Sequence, residues 1–539
     1  MRADTTVTIQ HGMNSRRPKV TALTVDGRRY PVRYKVINAN SLRIDTQDTA
    51  RIKLTVIPGP DPEDGWWYKF GQHATRIAMS VRNFSFTYKN TYAMTLPGFR
   101  PEVGDMFGQK KHGGFLAPGM DFAFGFTGDD YIDRALQNDW LICNDSVVSP
   151  ASSNALEDLQ LRISLEPIRD LKIDLTTNRT RNRSREIQYM FEGMPDTRSG
   201  NFSMSIISIG SAFERPSAGD GYHSGTFERF RRNLDVIRDR VESQFLGAQY
   251  PQGSTLAGKT FDPANGTISK HSPDVMIPAF LAAYTGKSAR NSALDFFPSL
   301  FSMMPNWRIT YTGLTKIAWF KKNFRSVNLN HAYRSTYSVG SYNTFQSFMS
   351  YMGDIGFVED VQSGNPIPSS RFDISMVSIN EQFSPLIGMD ATLKNGLTAK
   401  VEYKTSRILN LSMSACQLVE TASRDFVIGL GYKIVNFNLF SGRNVKDSKN
   451  RVSHDLALRA DISFRNQSAL CRDIQQGFAQ ATNGNKALKI SCSADYTLSR
   501  LLTLRLYYDR QQNTPLVSSS SYPVVSADFG FSMKFSLTR

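Results

Sequence analysis

The sequence predicts a mostly β fold: an antiparallel, up-and-down transmembrane β-barrel segment with a small helical insert. Many segments alternate apolar and polar residues with a period of two, which gives a strand one apolar and one polar face. Two of them, Leu488–Leu498 and Phe529–Leu537, match the roughly 9–11 residues of a transmembrane strand. The chain also ends inside an aromatic-rich alternating segment, which is typical of the last strand of an outer-membrane barrel.

Composition restricts how the chain could enter a membrane. Of its 539 residues, 40% are hydrophobic and 21% are charged, which excludes a disordered tail. The longest apolar run, Val275 to Tyr284, contains Pro278 and is far shorter than the roughly 20 residues of a membrane helix. Because only helices and closed barrels satisfy their backbone hydrogen bonds in lipid, a membrane location requires a barrel.

Charge, cysteines and motifs indicate no nucleic-acid partner, no metal, no cofactor and no enzyme. The net charge is +16, but Lys and Arg are scattered, and the densest run, RTRNRSR at 179–185, is predicted to be a solvated loop or strand end. The four cysteines form no CxxC pair and have no His at ligand spacing, so only their pairing stays open. No HExxH, GxSxG or Walker motif is present.

Residues 1–57 are predicted to form a small β-rich lobe outside the membrane. Asp26-Gly27 separates Leu23-Thr24-Val25 from an alternating run, Tyr30 to Val36, and so predicts a type I′ hairpin. A Pro-rich linker follows Ile57. The N-terminus, MRADTTVTIQH, has no apolar signal-peptide region, and with the strand pattern this suggests an N-terminally truncated chain.

Residues 66–210 are predicted to be barrel strands with long loops. Leu159–Leu165 and Leu171–Leu175 alternate on either side of a turn, with charges on the other face. Phe122–Phe126 is predicted to be a short strand, and Asp129-Asp130 to cap a short helix that ends near Gln137.

Residues 211–300 are predicted to be a helical or irregular insert. Apolar residues recur there at helical spacing, and Ser272-Pro273 begins a second helix that ends near Tyr284. The first helix is predicted to bury Phe227, Phe230, Leu234, Ile237, Val241 and Phe245.

Residues 301–539 are predicted to be the C-terminal barrel strands. Asn395-Gly396 joins two alternating runs in a hairpin whose apolar residues share one face. Beyond it, either Thr405-Ser406-Arg407 is a turn or Leu397 to Ala415 is one long strand. His331, which lies among aromatic residues, is predicted to be structural.

A barrel would place the polar faces of these strands around a water-filled lumen. Each such residue could equally be an ordinary solvated side chain on the wet face of a soluble sheet. The predicted lumen-facing wall residues are Lys400, Glu402, Arg459, Asp461, Lys489, Asp495, Arg505 and Asp509.

Several sequence blocks, in order and over nearly the whole chain, resemble the C-terminal part of the SprA/Sov family. They are MFEGMP at 190–195, PAFLAAYTG at 278–286, PNWRITYTGL at 305–314, HAYRSTYSVGSY at 331–342, FSPLIGMDATLKN at 383–395, VIGLGYK at 427–433 and LVSSSSYP at 516–523. None is a catalytic signature. Family members are several times longer and begin with a signal sequence, which fits the suggested truncation.

The resemblance implies that the chain is part of a giant barrel. SprA/Sov proteins are outer-membrane translocons of Bacteroidetes that export folded cargo in type IX secretion, and gliding relatives use them for gliding motility. The resemblance implies four kinds of partner: outer-membrane lipid, a PorV-like barrel, a periplasmic plug, and cargo proteins with C-terminal secretion domains. Two other functions stay open: a porin-like solute channel, and a soluble β-rich binding or adhesion protein.

Overall fold

The computed structural model divides into two compact units, Met1–Val81 and Arg82–Arg539. The sequence boundaries at 57, 210 and 300 stay predictions, and most of the predicted linker after Ile57 lies outside the described residues. The structure describes residues 5–14, 17–46, 49, 51–58, 79–102, 104–128, 130–191, 195–214, 216–435, 437, 455–498, 501–517 and 522–536.

The first unit contains two three-stranded antiparallel sheets, with strand orders β1-β5-β4 and β3-β2-β6. A hairpin turn forms at Asp26-Gly27, with Gly27 at φ +77°, but Asp26 does not have a positive φ, so the predicted type I′ turn is wrong. The strand after the turn contains only two residues. Pro31 has no N–H to donate, and the chain beyond it pairs elsewhere, so the predicted single run from Tyr30 to Val36 is wrong. The six strands are β1 (Thr5–Gln10), β2 (Lys19–Thr24), β3 (Arg29–Tyr30), β4 (Arg33–Asn38), β5 (Ser41–Thr46) and β6 (Ile52–Ile57).

One 14-stranded antiparallel sheet dominates the second unit, so the predicted mostly β fold is confirmed. The strands from residue 81 onward are β7 (Val81–Thr95), β8 (Lys110–His112), β9 (Phe115–Ala117), β10 (Ala151–Ile168), β11 (Leu171–Ile187), β12 (Asp196–Ser205), β13 (Asn306–Tyr311), β14 (Phe324–Thr344), β15 (Met349–Met352), β16 (Ile355–Glu359), β17 (Pro366–Ser370), β18 (Phe372–Ile374), β19 (Met376–Leu393), β20 (Leu397–Ser412), β21 (Gln417–Ile434), β22 (Leu456–Asp473), β23 (Ala479–Thr497), β24 (Leu502–Pro515) and β25 (Val524–Phe535). The helices are α1 (Met120–Ala123), α2 (Asp130–Gln137), α3 (Gly225–Ser243), α4 (Pro273–Tyr284) and α5 (Ala318–Asn323).

Twelve of the 14 strands follow the order β25-β24-β23-β22-β21-β20-β19-β14-β12-β11-β10-β7. The other two lie off this path: β13 pairs with β11 and β14, and β18 pairs with β14. From β19 to β25 the sheet is an up-and-down meander, as predicted. Residues Leu397–Ser412 are one strand, so the long-strand alternative for this region is correct. No described helix is both long and apolar enough to span a bilayer.

Strands β12 and β13 are two halves of one interrupted strand. Both pair antiparallel with β11 and with β14, β12 along one half of each neighbour and β13 along the other. The chain leaves the sheet after Ser205 and returns at Asn306, whose amide nitrogen donates a 3.2 Å hydrogen bond to the Ser205 hydroxyl. Residues 206–305, called the insert below, therefore extend from the middle of the sheet.

The insert contains both predicted helices. Ser224 caps α3 by accepting a hydrogen bond from the Phe227 N–H, and α3 buries five of the six predicted apolar residues. The sixth, Phe245, is also buried but lies beyond the end of the helix at Ser243. Helix α4, the longest apolar run of the sequence, is buried on nearly every side between α3 and the sheet. The main core cluster lies at this interface and includes Phe202, Tyr337, Ile379, Leu409 and Leu411 from the strands.

Two local predictions between residues 120 and 187 are wrong, and one is confirmed. The strand predicted at Phe122–Phe126 is wrong, because Met120–Ala123 is a short helix. Phe122 packs on Tyr131 of α2 and not on a neighbouring strand. Helix α2 ends at Gln137, as predicted. The arginine run 179–185 is not a loop or strand end but lies inside β11, where Glu157, Asp133 and Asp196 pair with it.

Candidate functional site

The register of β20 to β25 gives the sheet one charged face and one apolar face. Lys400 lies beside Gly429, Asp461, Ser491 and Asp509 in one row of paired residues. Side chains two residues apart on a strand share a face, so this row defines the charged face. All eight predicted wall residues lie on it: Lys400, Glu402, Arg459, Asp461, Lys489, Asp495, Arg505 and Asp509.

Both signs of charge are interspersed on the charged face. Glu402 accepts from Lys400 at 3.0 Å and from Lys404 at 2.8 Å, and Arg465 pairs with Asp425 at 2.9 Å. Asp495 lies directly opposite Arg505, at 3.6 Å. These partly exposed pairs contribute little stability each, so the face is a hydrated surface without a large patch of one sign.

The apolar face has a bare half, called the belt below. It runs over β20 to β25 and exposes large side chains in each strand from β21 to β25, including Leu430, Leu458, Ile462 and Phe529. On β22 it extends from Leu456 to Phe464, which is about 27 Å at roughly 3.4 Å per residue. With the usual barrel strand tilt of about 35–45°, its height becomes roughly 19–22 Å, slightly less than the roughly 25 Å apolar band of outer-membrane barrels.

Aromatic residues from six neighbouring strands follow the edge of the belt. Tyr403, Phe426 and Phe464 lie side by side in one row of β20, β21 and β22. One step further along the strands, Trp307, Tyr333 and Phe383 form the next row on β13, β14 and β19. Trp307 stacks on Tyr333 with ring centroids 4.5 Å apart, and Tyr333 and Phe383 are 4.8 Å apart. Aromatic girdles mark the membrane–water interface in transmembrane barrels. In this girdle Phe426 and Phe464 are exposed, whereas Tyr333 and Phe383 are buried.

The insert covers the other half of the apolar face, beyond the girdle. Leu409 and Leu411 continue the alternation of Val401 and Tyr403 on β20, but both are fully buried by the insert. The chain leaves the sheet at Ser205, next to the girdle residues Trp307 and Tyr333. The girdle therefore separates an exposed belt from a covered half on the same face.

A buried ion pair holds the start of the insert on the covered half. Arg407 Nη2 donates to Glu381 at 2.7 Å and to the Ser211 hydroxyl, and Nη1 donates to the Ser211 carbonyl oxygen. Glu381, only 2% exposed, also accepts from the hydroxyls of Ser208 and Tyr333. A buried charge without hydrogen-bond partners is strongly destabilising, and Ser208 and Ser211 of the insert supply some of these partners. The pair therefore fixes the position of the start of the insert on the sheet.

A second buried pair repeats this arrangement two strands away. Arg472 donates to Glu420 at 3.0 Å and to the Tyr222 carbonyl oxygen at 2.6 Å. Nearby, Glu214 accepts from Ser224 and Thr226 at the start of α3. Burial raises the pKa of the Glu214 carboxyl, whereas these hydrogen bonds lower it. Their combined effect is the larger one, so the pKa lies below its ordinary value.

The interrupted strand and the two buried pairs were missed by sequence reasoning. A signal was present: Arg407 and Glu420 break the apolar phase of β20 and β21, and Glu381 and Arg472 do so on β19 and β22. The girdle depends on register between strands that are distant in sequence, which no single-strand pattern contains. His331 is structural in geometry, with Nδ1 2.6 Å from the Leu386 carbonyl oxygen.

No metal-binding group of three or more His, Cys, Asp or Glu side chains occurs within the described part of the chain. All four cysteines are free.

Comparisons with known proteins identify no family. No family model matches the chain, and no curated protein matches it. Among solved structures, it is similar to the beta domain of the Bordetella autotransporter BrkA, with 6% identity over 72% of this chain and 92% of that chain. The TM-score is 0.20.

Proposed function

We propose that the second unit is a wall segment of an outer-membrane β-barrel, with the belt in lipid and the charged face around water. The observation that carries this proposal is the belt itself. It is exposed, apolar, close to the height of a bilayer's apolar band and bordered by an aromatic girdle, and the alternate rows of the same strands carry charges on the opposite face. In water, so large an apolar patch would promote aggregation.

At a finer level, we propose that this wall belongs to a protein-conducting channel of type IX secretion, as the SprA/Sov resemblance suggests. A wall of balanced, hydrated charges suits varied folded cargo, because it offers no patch that would retain one protein. In this proposal, the chain acts with a PorV-like barrel, a periplasmic plug and cargo with C-terminal secretion domains. None of the eight wall residues is a specific binding site.

The assignment of the two faces is tested with adjacent thiols on β23. Cys492 lies in the belt and Ser493 on the charged face. In a chain with the other cysteines replaced by Ser, we compare Cys492 with a Cys492→Ser, Ser493→Cys variant in lipid vesicles. A membrane-impermeant maleimide should label position 493 and spare position 492, and both should react after unfolding.

Three outcomes would contradict this proposal. Equal labelling of both positions in a chain that stays in solution without lipid indicates the soluble β-rich alternative. Labelling of 492 alone indicates that the two faces are assigned the wrong way round. Failure of both to react until unfolding indicates that a second packed layer covers the sheet.

The type IX function is tested separately, in the source bacterium. Disrupting the gene should leave proteins with C-terminal secretion domains in the periplasm, and restoring the gene should return them to the surface. Normal export together with a loss of small-solute uptake would instead favour the porin-like channel.

A further inference from the structure

A cluster of cations follows the girdle on the apolar face of β21 to β23. Arg424 lies two residues beyond Phe426, and Lys486 two residues beyond Leu488, so each comes directly after the belt on its own strand. Arg424, Asn466 and Lys486 lie in one row of paired residues. Within the described part of the chain, neither cation is in ion-pair distance of a carboxylate, and Lys486 is exposed.

These cations line a polar cavity of about 320 Å³ between the sheet and the start of the insert. Two carboxylates also line it, but both already have partners. Glu214 accepts from Ser224 and Thr226, and Glu420 accepts from Arg472. Arg424 also donates a long hydrogen bond, 3.4 Å, to the Glu214 carbonyl oxygen, but this contact leaves its charge unneutralised. Both cations are therefore available to an anion from outside the chain.

An apolar groove of about 340 Å³ lies in the belt of the same strands. Its floor is made of small side chains on β22 and β23: Ala460 faces Cys492, and Ala494 is the next residue of this face. Larger side chains on the flanking strands, including Leu430 and Tyr508, form its sides. On β23, Lys486 is about 20 Å from Cys492, at roughly 3.3 Å per residue.

We propose that this pair of cavities binds one phospholipid whose head group has a net negative charge, with the phosphate at Arg424 and Lys486 and an acyl chain in the groove. The inference rests on the proposed membrane location of the belt. A polar, cationic cavity and an apolar groove on one face, separated by an interfacial girdle, match an amphiphile with an anionic head. A free phosphate would use the first cavity alone.

The leaflet follows from the connections between strands. The turns 169–170 and 394–396 lie at the belt end of the sheet, where β25 also ends. The long connections 96–150 and 345–375 lie at the opposite end, on the side of the cations. Two other connections at the belt end are longer than a turn: 312–323, which contains α5, and 435–455, which is mostly outside the described residues. Because barrels have short periplasmic turns and long extracellular loops, and the connections 96–150 and 345–375 are longer than either of these, the lipid belongs to the outer leaflet.

The test compares lysines three residues apart on β23, one on each face. The full chain is titrated in detergent micelles with phosphatidylglycerol, and with phosphatidylcholine of the same acyl chains, and bound lipid is counted by native mass spectrometry. Lys486→Gln should weaken phosphatidylglycerol binding about fivefold, because a basic residue near an anionic surface contributes about 1 kcal/mol. Lys489→Gln on the charged face removes the same charge and should change nothing.

Two further arms separate the sources of the phosphate. Glycerol phosphate should not compete with phosphatidylglycerol, and Ala494→Phe, which fills the groove, should weaken both lipids. Effective competition by glycerol phosphate, equal binding of the two lipids, or an equal loss in Lys489→Gln would overturn the lipid site. Protection of position 492 from maleimide, together with unchanged phosphatidylglycerol binding in Lys486→Gln, would contradict the lipid site alone. The proposal that the second unit is a barrel wall would still stand.

Discussion

The covered and bare halves of the apolar face have the same sequence pattern and opposite surroundings. On β20, Leu409 and Leu411 are fully buried under the insert, whereas Leu430 and Leu458, in the belt of the next two strands, are 47% and 38% exposed. Alternation with a period of two shows only that one side of a strand avoids water. It does not show whether protein or lipid covers that side.

The polar residues within each half distinguish the two surroundings. The covered half contains two buried Arg–Glu pairs, and both Arg side chains also bond to insert residues. In β20, β21 and β22, the belt covers residues 397–403, 426–434 and 456–464. No side chain on the apolar face of these stretches is charged. A lipid chain offers no hydrogen-bond partner, so a charge placed there would be uncompensated.

The largest effect is expected from removing the charge that fixes the insert. Arg407→Ala leaves Glu381 buried without its cation, and we expect the insert to lose about 3–5 kcal/mol of local stability. Hydrogen exchange of the α3 and α4 amides measures this loss. The control is Arg465→Ala, whose partly exposed pair with Asp425 should be worth less than about 1 kcal/mol. Equal effects of the two variants would show that the insert does not depend on the buried pair.

The next effect comes from the packed side chains themselves. Leu409→Ala should cost about 2–5 kcal/mol, because it removes buried contacts and leaves a cavity under the insert. The same exchange measurement should detect it in α3 and α4. Leu430→Ala, on the bare half, should leave insert exchange unchanged, and a loss there would mean that the insert reaches over the belt.

A charge in the belt tests the bare half directly. Ile462→Lys should cost about 2–4 kcal/mol of folding into lipid vesicles, followed by urea titration. The control is Ser491→Lys on the neighbouring strand, where Asp461 and Asp509 flank the new charge on the charged face. We expect that control to fold normally. Normal folding of Ile462→Lys would exclude lipid from this face.

The smallest effect is a pH dependence of the insert. Burial raises the pKa of the Asp274 carboxyl on α4, although Ser370 and Ser369 donate hydrogen bonds that lower it. An acid whose pKa is higher in the folded state loses stability as pH rises from its ordinary carboxyl value through the raised one. Insert exchange should therefore accelerate over that range in the wild type, and less in Asp274→Asn.

Glu214 provides the opposite sign. Its lowered pKa adds stability above the ordinary carboxyl range, and this stability is lost as pH falls through the folded value. Glu214→Gln should therefore weaken the insert at neutral pH and leave acidic conditions unchanged. If both variants shift exchange in the same direction, the slopes arise from other groups.

The sequence predicted the parts that depend on local periodicity. The long strands, the two insert helices and the shared face of Lys400, Asp461 and Asp509 all follow from spacing within one segment. What it missed depends on contacts between distant segments. Arg179 and its neighbours have the composition of a loop, yet partners from β10, α2 and β12 keep them in the middle of a strand. Phe122 alternates as in a strand, but a helix forms where it packs on Tyr131.

The interruption between β12 and β13 makes the insert an exchangeable cassette. Its ends touch at Ser205 and Asn306. On β11 and on β14 the registers of the two half-strands leave one position between them, at Thr177 and Ser335, so joining Ser205 to Asn306 through a single residue would give an unbroken ladder. Replacing the insert with another domain at this junction would change what covers one half of the apolar face, without altering the number of strands or their register. The same architecture could thus acquire different external attachments while its charged interior stayed the same.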